Sequence, residues 1–131
     1  MKDRKPRWGL RGLQKAAKQP DGLELTESKA VEPIIASMPD VVDRKGAVAY
    51  VRDAILALTA GDFSHSVPAM RDEADVYGVR KDDRDWFVKV TLQEVADASG
   101  KQTKQVLVVS FHEPKKPFRT LKGELKPWPN T

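Results

Sequence analysis

The chain has 131 residues and a mass of 14.6 kDa. That is enough for one domain, and the 40% hydrophobic and 32% charged composition excludes disorder throughout. The absence of cysteine excludes disulfides and thiolate metal sites, and two histidines, His65 and His112, exclude a histidine-rich one. Charge is uneven: net +6 over residues 1–20, −7 over residues 21–100 and +5 over residues 101–131. Basic ends on an acidic middle point to a polyanionic partner, although charged termini also simply keep small proteins soluble.

The first twenty residues form a basic segment. Pro6 and Gly9 hold off helix until Leu10, after which Leu10, Leu13, Ala16 and Ala17 predict a short helix over 10–18. Pro20-Asp21-Gly22 marks a turn. A second helix is expected over 26–38, opened by Thr26 and turning Val31, Ile34 and Ile35 inward, with Pro33 the obstacle. The clearest helix runs from about Arg44 to Leu58. Asp43 caps it, and Val48, Val51, Ile55 and Leu58 form its apolar stripe. Thr59 followed three residues later by Asp62 predicts a second cap, opening a short helix that carries Phe63 and His65 and ends before Pro68.

Strands follow. Residues 74–80 read as one. Residues 81–85 form a polar turn. Residues 86–95 alternate Trp86, Val88, Val90 and Leu92 against Phe87, Lys89, Thr91 and Gln93. Residues 96–104 are a loop around Ser99-Gly100. Residues 105–112 form a strand with Leu107, Val109 and Phe111 on one face and Val106, Val108, Ser110 and His112 on the other. Consecutive strands on short loops pair antiparallel. The expected class is α+β, with N-terminal helices on one face of an antiparallel sheet of three or more strands. Residues 1–113 are read as the domain and residues 114–131, with four prolines, as a basic extended tail. The chain shows no membrane span of roughly 18 apolar residues and no secretory signal, so it is expected in the cytoplasm, with no membrane partner.

The polar sheet face collects Lys89, Thr91, Gln93, Ser110 and His112 beside the basic tail, a suitable floor for a phosphate-bearing ligand. Ordinary solvent exposure is the bland explanation.

At these residues the sequence resembles a known family. Residues 57–66 (ALTAGDFSHS), 74–77 (ADVY), 87–91 (FVKVT) and 106–113 (VLVVSFHE), in that order, resemble the MqsR (motility quorum-sensing regulator) toxins. The likeness runs over roughly residues 47–113, and the opening from Arg4 to Leu10 is similar too. The loop at 96–104 and the tail after Glu113 lie outside it. The resemblance implies a RelE-like fold and an mRNA endonuclease that needs no metal or other cofactor, cuts at GC-containing triplets and is silenced by a cognate antitoxin.

It also implies site positions. His65 and His112 stand where the family carries functional lysines, and Lys89 matches a lysine that the family keeps. Phe87 replaces a tyrosine and Ala74 a glutamine. Metal-free RNA cleavage needs a base for the 2′-hydroxyl and an acid for the leaving 5′-oxygen. Imidazole, titrating ordinarily near 6.5, serves either role. The catalytic candidates are therefore His65, His112 and Lys89, the lysine countering charge on the phosphorane. Asp62 is a candidate to orient His65, or only a cap. Phe87 and Ser110 are candidates to stack a base and to bond a phosphate. Lys5, Arg7, Lys115, Lys116 and Arg119 are expected to attract phosphate, and Arg80 and Arg84 to touch the RNA backbone. Single-stranded mRNA and an antitoxin are the expected partners. A ribosome contact through the basic ends is a further reading. The alternative of another class is a non-catalytic module that binds nucleic acid or protein.

Overall fold

The computed structural model describes residues 5–69 and 72–129. Helix α1 spans Leu10–Lys18, α2 Glu32–Ser37 and α3 Arg44–Leu56. Strand β1 is Leu23–Leu25, β2 Phe63–Ala69, β3 Asp72–Lys81, β4 Arg84–Ala96, β5 Gln102–His112, β6 Phe118–Arg119 and β7 Glu124–Leu125. Among the described residues the class is α+β: three α-helices with a five-stranded sheet of order β1-β5-β4-β3-β2, plus the small β6–β7 hairpin. The large sheet is mixed, not wholly antiparallel: β1 lies parallel to β5, pairing Leu23 with Val106 and Leu25 with Val108. No helix among the described residues is long and apolar enough to cross a membrane.

The helices form for the reasons their sequences give. The Asp43 carboxylate accepts the Gly46 N–H at 2.8 Å, filling one of the donors that open α3, and Ala47, Val51, Ala54 and Ile55 make its buried stripe. Helices α1 and α3 close each other's C-terminal ends. Gln14 donates to the carbonyls of Ile55 and Leu58 at 3.1 and 3.0 Å, and Arg52 donates to that of Ala17 at 2.8 Å. The segment after Thr26 begins as a wide π-type turn, Glu27–Val31, before α2. Pro33, which has no N–H to give, sits in the first turn of α2, where none is needed.

Several expectations change. The Thr59–Asp62 capping box is present, but it closes a single 3-10 turn, Ala60–Asp62, and the chain enters β2 directly. Pro68 is tolerated because β2 is an edge strand. The hairpin loops are shorter than expected, since β3 and β4 meet at Asp82-Asp83 and β4 and β5 at Asp97–Lys101. Both Asp82 and Asp83 have positive φ, 56° and 61°, as a two-residue hairpin turn demands. Ser99 and Lys101 backbone N–H groups on the Asp97 carboxylate close the second loop.

Most consequential are two β-bulges, each an extra residue that reverses the alternation of its strand. In β5, Lys89 faces Ser110 but Val90 faces Val108, so Val109 is the extra residue. Val106 and Val108 therefore join Phe111 in the core, where strict alternation would have set them opposite it, and Leu107 lies outside that core. Thr26 supports the bulge by donating to the Val109 carbonyl at 2.7 Å. In β2, Phe63 faces Tyr77 while His65 faces Val76, so Ser64 is the extra residue.

The C-terminal segment is not a bare tail. Leu125 is 8% exposed and rests where a Cβ on Gly78 would come within 2.5 Å of it. Leu121 and Lys122 N–H groups bond the Phe63 and Gly61 carbonyls at 2.9 and 2.7 Å. Residues 118–128 thus cover part of the sheet face turned away from the main core.

Candidate functional site

The register puts His65, Val76, Lys89 and Ser110 in one row across β2, β3, β4 and β5, with the pair Phe87–His112 in a neighbouring row. Paired residues share a face, so these side chains leave the sheet on the side opposite the core residues Val88, Val90 and Phe111. Both histidines reach that side through a bulge. If Ser64 kept its place in the ladder instead of bulging out, His65 would share the core face of Phe63, and if Val109 did so, His112 would share a face with Val106 and Val108.

Above the row lies a cleft of about 680 Å³. Its floor is His65, Phe87, Lys89, Ser110 and His112. One wall is the segment around α2, with Ser28, Lys29, Pro33, Ala36 and Ser37. The other is the C-terminal segment, with Glu113, Lys115, Lys116, Phe118 and Trp128. Among the described residues, none of the lysines Lys29, Lys89, Lys115 and Lys116 forms an ion pair. The one lining carboxylate, Glu113, is occupied by the Trp128 N–H at 2.7 Å. The cleft is therefore electropositive and suited to a phosphodiester.

Each histidine is oriented through Nδ1. His112 Nδ1 lies 2.7 Å from the Glu113 carbonyl, which only accepts, so Nδ1 carries the hydrogen. His65 Nδ1 lies 2.8 Å from Ser64 Oγ, whose own hydrogen goes to the Arg119 carbonyl. The hydroxyl oxygen therefore accepts from His65 Nδ1–H. In His112 proton exchange therefore falls to Nε2. The His112 ring also stacks on Phe87, with centroids 5.2 Å apart and planes at 13°, and Phe118 meets Phe87 edge-on at 5.4 Å. Phe87, expected as a platform for a base, is instead in contact with His112 and Phe118 and fixes the imidazole plane.

The structure gathers His65, His112, Lys89, Phe87, Ser110, Lys115 and Lys116 on this cleft. It leaves the other expected residues elsewhere. Arg7 forms a two-pronged pair with Asp72 at 2.9 and 3.0 Å and lies over the Trp8 ring, so its charge is committed to fastening the N-terminal segment. That pairing holds the Asp72 carboxyl below its ordinary range. Lys5 is exposed on the same segment. The carbonyl of Arg119 holds Ser64, while its side chain is not among those lining the cleft. Arg80 and Arg84 line a separate cleft. Asp62 does not orient His65: its carboxylate caps Thr59 at 2.8 Å and pairs with Lys122 at 3.5 Å.

Sequence reasoning missed Lys29, Phe118 and Trp128. Lys29 was hidden because only the apolar positions of its segment were read. Phe118, Leu121, Leu125 and Trp128 were the available signal, since a solvated basic tail has no need of four large apolar side chains.

No protein-family model matches the chain, and no curated protein matches it either.

Proposed function

We propose that the protein is a metal-independent endoribonuclease of RelE-like type, acting on single-stranded mRNA as the toxin of a type II toxin–antitoxin pair. One observation carries the reading: the only two histidines in the sequence line one electropositive cleft with Lys89 in the row of His65, and each is held through Nδ1. The resemblance to the MqsR toxins supports the same chemistry.

One imidazole, neutral, removes the 2′-hydroxyl proton as that oxygen attacks the adjacent phosphorus. Lys89 offsets the charge that gathers on the phosphorane oxygens. The other imidazole, protonated, gives its proton to the departing 5′-oxygen. The products are a 2′,3′-cyclic phosphate and a 5′-hydroxyl, and the two imidazoles have exchanged protonation states.

The test is incubation of the full chain with labelled single-stranded RNA in excess EDTA, beside His65→Ala, His112→Ala and Lys89→Ala. Cyclic-phosphate ends from the wild type are expected, with each histidine variant slower by about 10²–10⁴-fold and the lysine variant by about 10²–10³-fold. Equal cleavage by all four proteins sinks the reading. If the wild type cuts no naked RNA yet arrests growth on expression, cleavage requires the ribosome. With neither cleavage nor arrest, the cleft is a binding site without catalysis.

A further inference from the structure

A second cleft of about 600 Å³ adjoins the first, and Trp128 lines both. The indole is a fixed divider. Its backbone N–H bonds Glu113, its Nε1–H bonds the Asp85 carbonyl at 2.6 Å, and its ring meets Trp86 edge-on at 4.9 Å. On the far side the Arg84 guanidinium lies 4.7 Å from the Trp128 ring and donates to the Ser37 carbonyl at 2.8 Å. Ser37 itself lines the first cleft, so the divider is one indole on one guanidinium.

Arg84 forms no ion pair among the described residues. Arg80 and Lys126 bring two further cations to the same cleft. Arg80 pairs with Asp85 at 3.0 Å and the Lys126 ammonium lies 3.9 Å from Glu124, each through a largely exposed cation whose pairing a phosphate can replace, and the Lys126 N–H bonds Asp85 at 3.0 Å. The lysines of the first cleft thus face, across Trp128, Arg84 and the exposed Arg80 and Lys126 of the second.

Building on the endoribonuclease reading, we propose that single-stranded RNA does not end in the first cleft. It crosses Trp128 into the second, where Arg80, Arg84 and Lys126 hold phosphates flanking the scissile bond. A chain with a charge at every linkage matches cations on both sides of a rigid ring, whereas a mononucleotide would use one side only. The occupant is set by the backbone, so this subsite adds affinity for length and not for sequence.

The test uses 2′-O-methyl RNA, which lacks the nucleophile, as a labelled trimer and decamer. Fluorescence anisotropy gives Kd for each between about 50 and 200 mM salt. Wild type is expected to show a steeper salt slope for the decamer than for the trimer. Each lost phosphate contact on a single strand lowers the slope by about 0.7, so Arg80→Ala/Lys126→Ala is expected to lower the decamer slope by about 1.4. The trimer slope, set by the lysines of the first cleft, is the internal reference. Both substituted side chains are largely exposed, at 65% and 69%, so the fold does not depend on them. A decamer slope equal to wild type overturns the extended path while leaving the first cleft as the RNA site. An equal fall for trimer and decamer also overturns it, because that is the signature of general charge loss. Failure of wild type to bind either oligonucleotide overturns the extended path, and with no growth arrest on expression it overturns the endoribonuclease reading as well.

Discussion

Leu125→Ala tests whether the C-terminal segment is a docked wall of the cleft. Leu125 is 8% exposed and sits over the bare backbone of Gly78. The substitution removes three buried carbons, and at about 0.8 kcal/mol each the loss comes to about 2 kcal/mol. This lies at the low end of leucine-to-alanine costs, as expected where solvent can refill the space. The segment contacts the sheet through this side chain, through Phe118 and Trp128, and through backbone bonds from Leu121, Lys122 and Lys126. None of these belongs to a helix or strand of the main core. The cost should therefore fall on local undocking, raising the open population by roughly 30-fold. Limited trypsin digestion reads this directly at Lys115, Arg119 and Lys122, because cleavage of an exposed segment follows the open population when opening is fast. Cleavage should accelerate by about that factor, with the thermal midpoint of the core falling by no more than a few degrees. Unchanged trypsin sensitivity would refute the docking argument. A large fall in the global midpoint without local cleavage would show instead that the segment folds as one with the core.

Two shorter predictions follow. Tyr50 donates to the Asp82 carboxylate at 2.7 Å, and Tyr77 is buried near Asp75 and Asp62. Burial, followed by those carboxylates, raises both phenols above their ordinary range. A folded pKa above the unfolded value of about 10 contributes stability that is whole below pH 10 and lost as pH rises beyond it. Ultraviolet titration should show almost no phenolate in the native chain at about pH 10 and about half of both phenols ionised in urea, and a native titration at the ordinary value would refute the burial argument. Phe118→Ala removes the ring that supports the Phe87–His112 stack and should lower kcat by about tenfold, with little change in trimer affinity. A rise in KM alone would show that Phe118 contacts substrate instead.

What could be read from the sequence was whatever rests on local chemistry. The Asp43 cap, the helix over residues 10–18, the alternation around Trp86 and Val88 and the Thr59–Asp62 box are all decided within a few residues. The parallel pairing of β1 with β5 was invisible, because three residues carry no period and their partner lies some eighty positions away. The start of strand β2 reads as helix from the sequence because the Thr59–Asp62 box stands just before it. It is a strand because β3 supplies its ladder and its own position is at the edge. Alternation put Lys89, Ser110 and His112 on one polar face, the family resemblance added His65, and the cleft walls around them came only from the structure.

The bulges explain why alternation alone could not have assembled this site. A strand that keeps strict period two commits every second residue to the same face, so a core strand cannot also deliver its polar end to a cleft on the other side without mixing the two. Strand β5 solves this with Val109. Its first half gives Val106 and Val108 to the helices, while its last residues give Ser110 and His112 to the cleft and keep Phe111 in the core. Strand β2 does the same with Ser64, and there the extra residue is also the hydrogen-bond acceptor for the histidine that it redirects. In β2 the residue that breaks the period thus also sets the tautomer of the ring. The hydroxyl in turn spends its hydrogen on Arg119 of the C-terminal segment. Orientation of His65 is thereby coupled to docking of the same segment that supports His112 through Phe118 and Phe87. A segment outside the region of family resemblance therefore bears on both imidazoles, and undocking it should misalign them together.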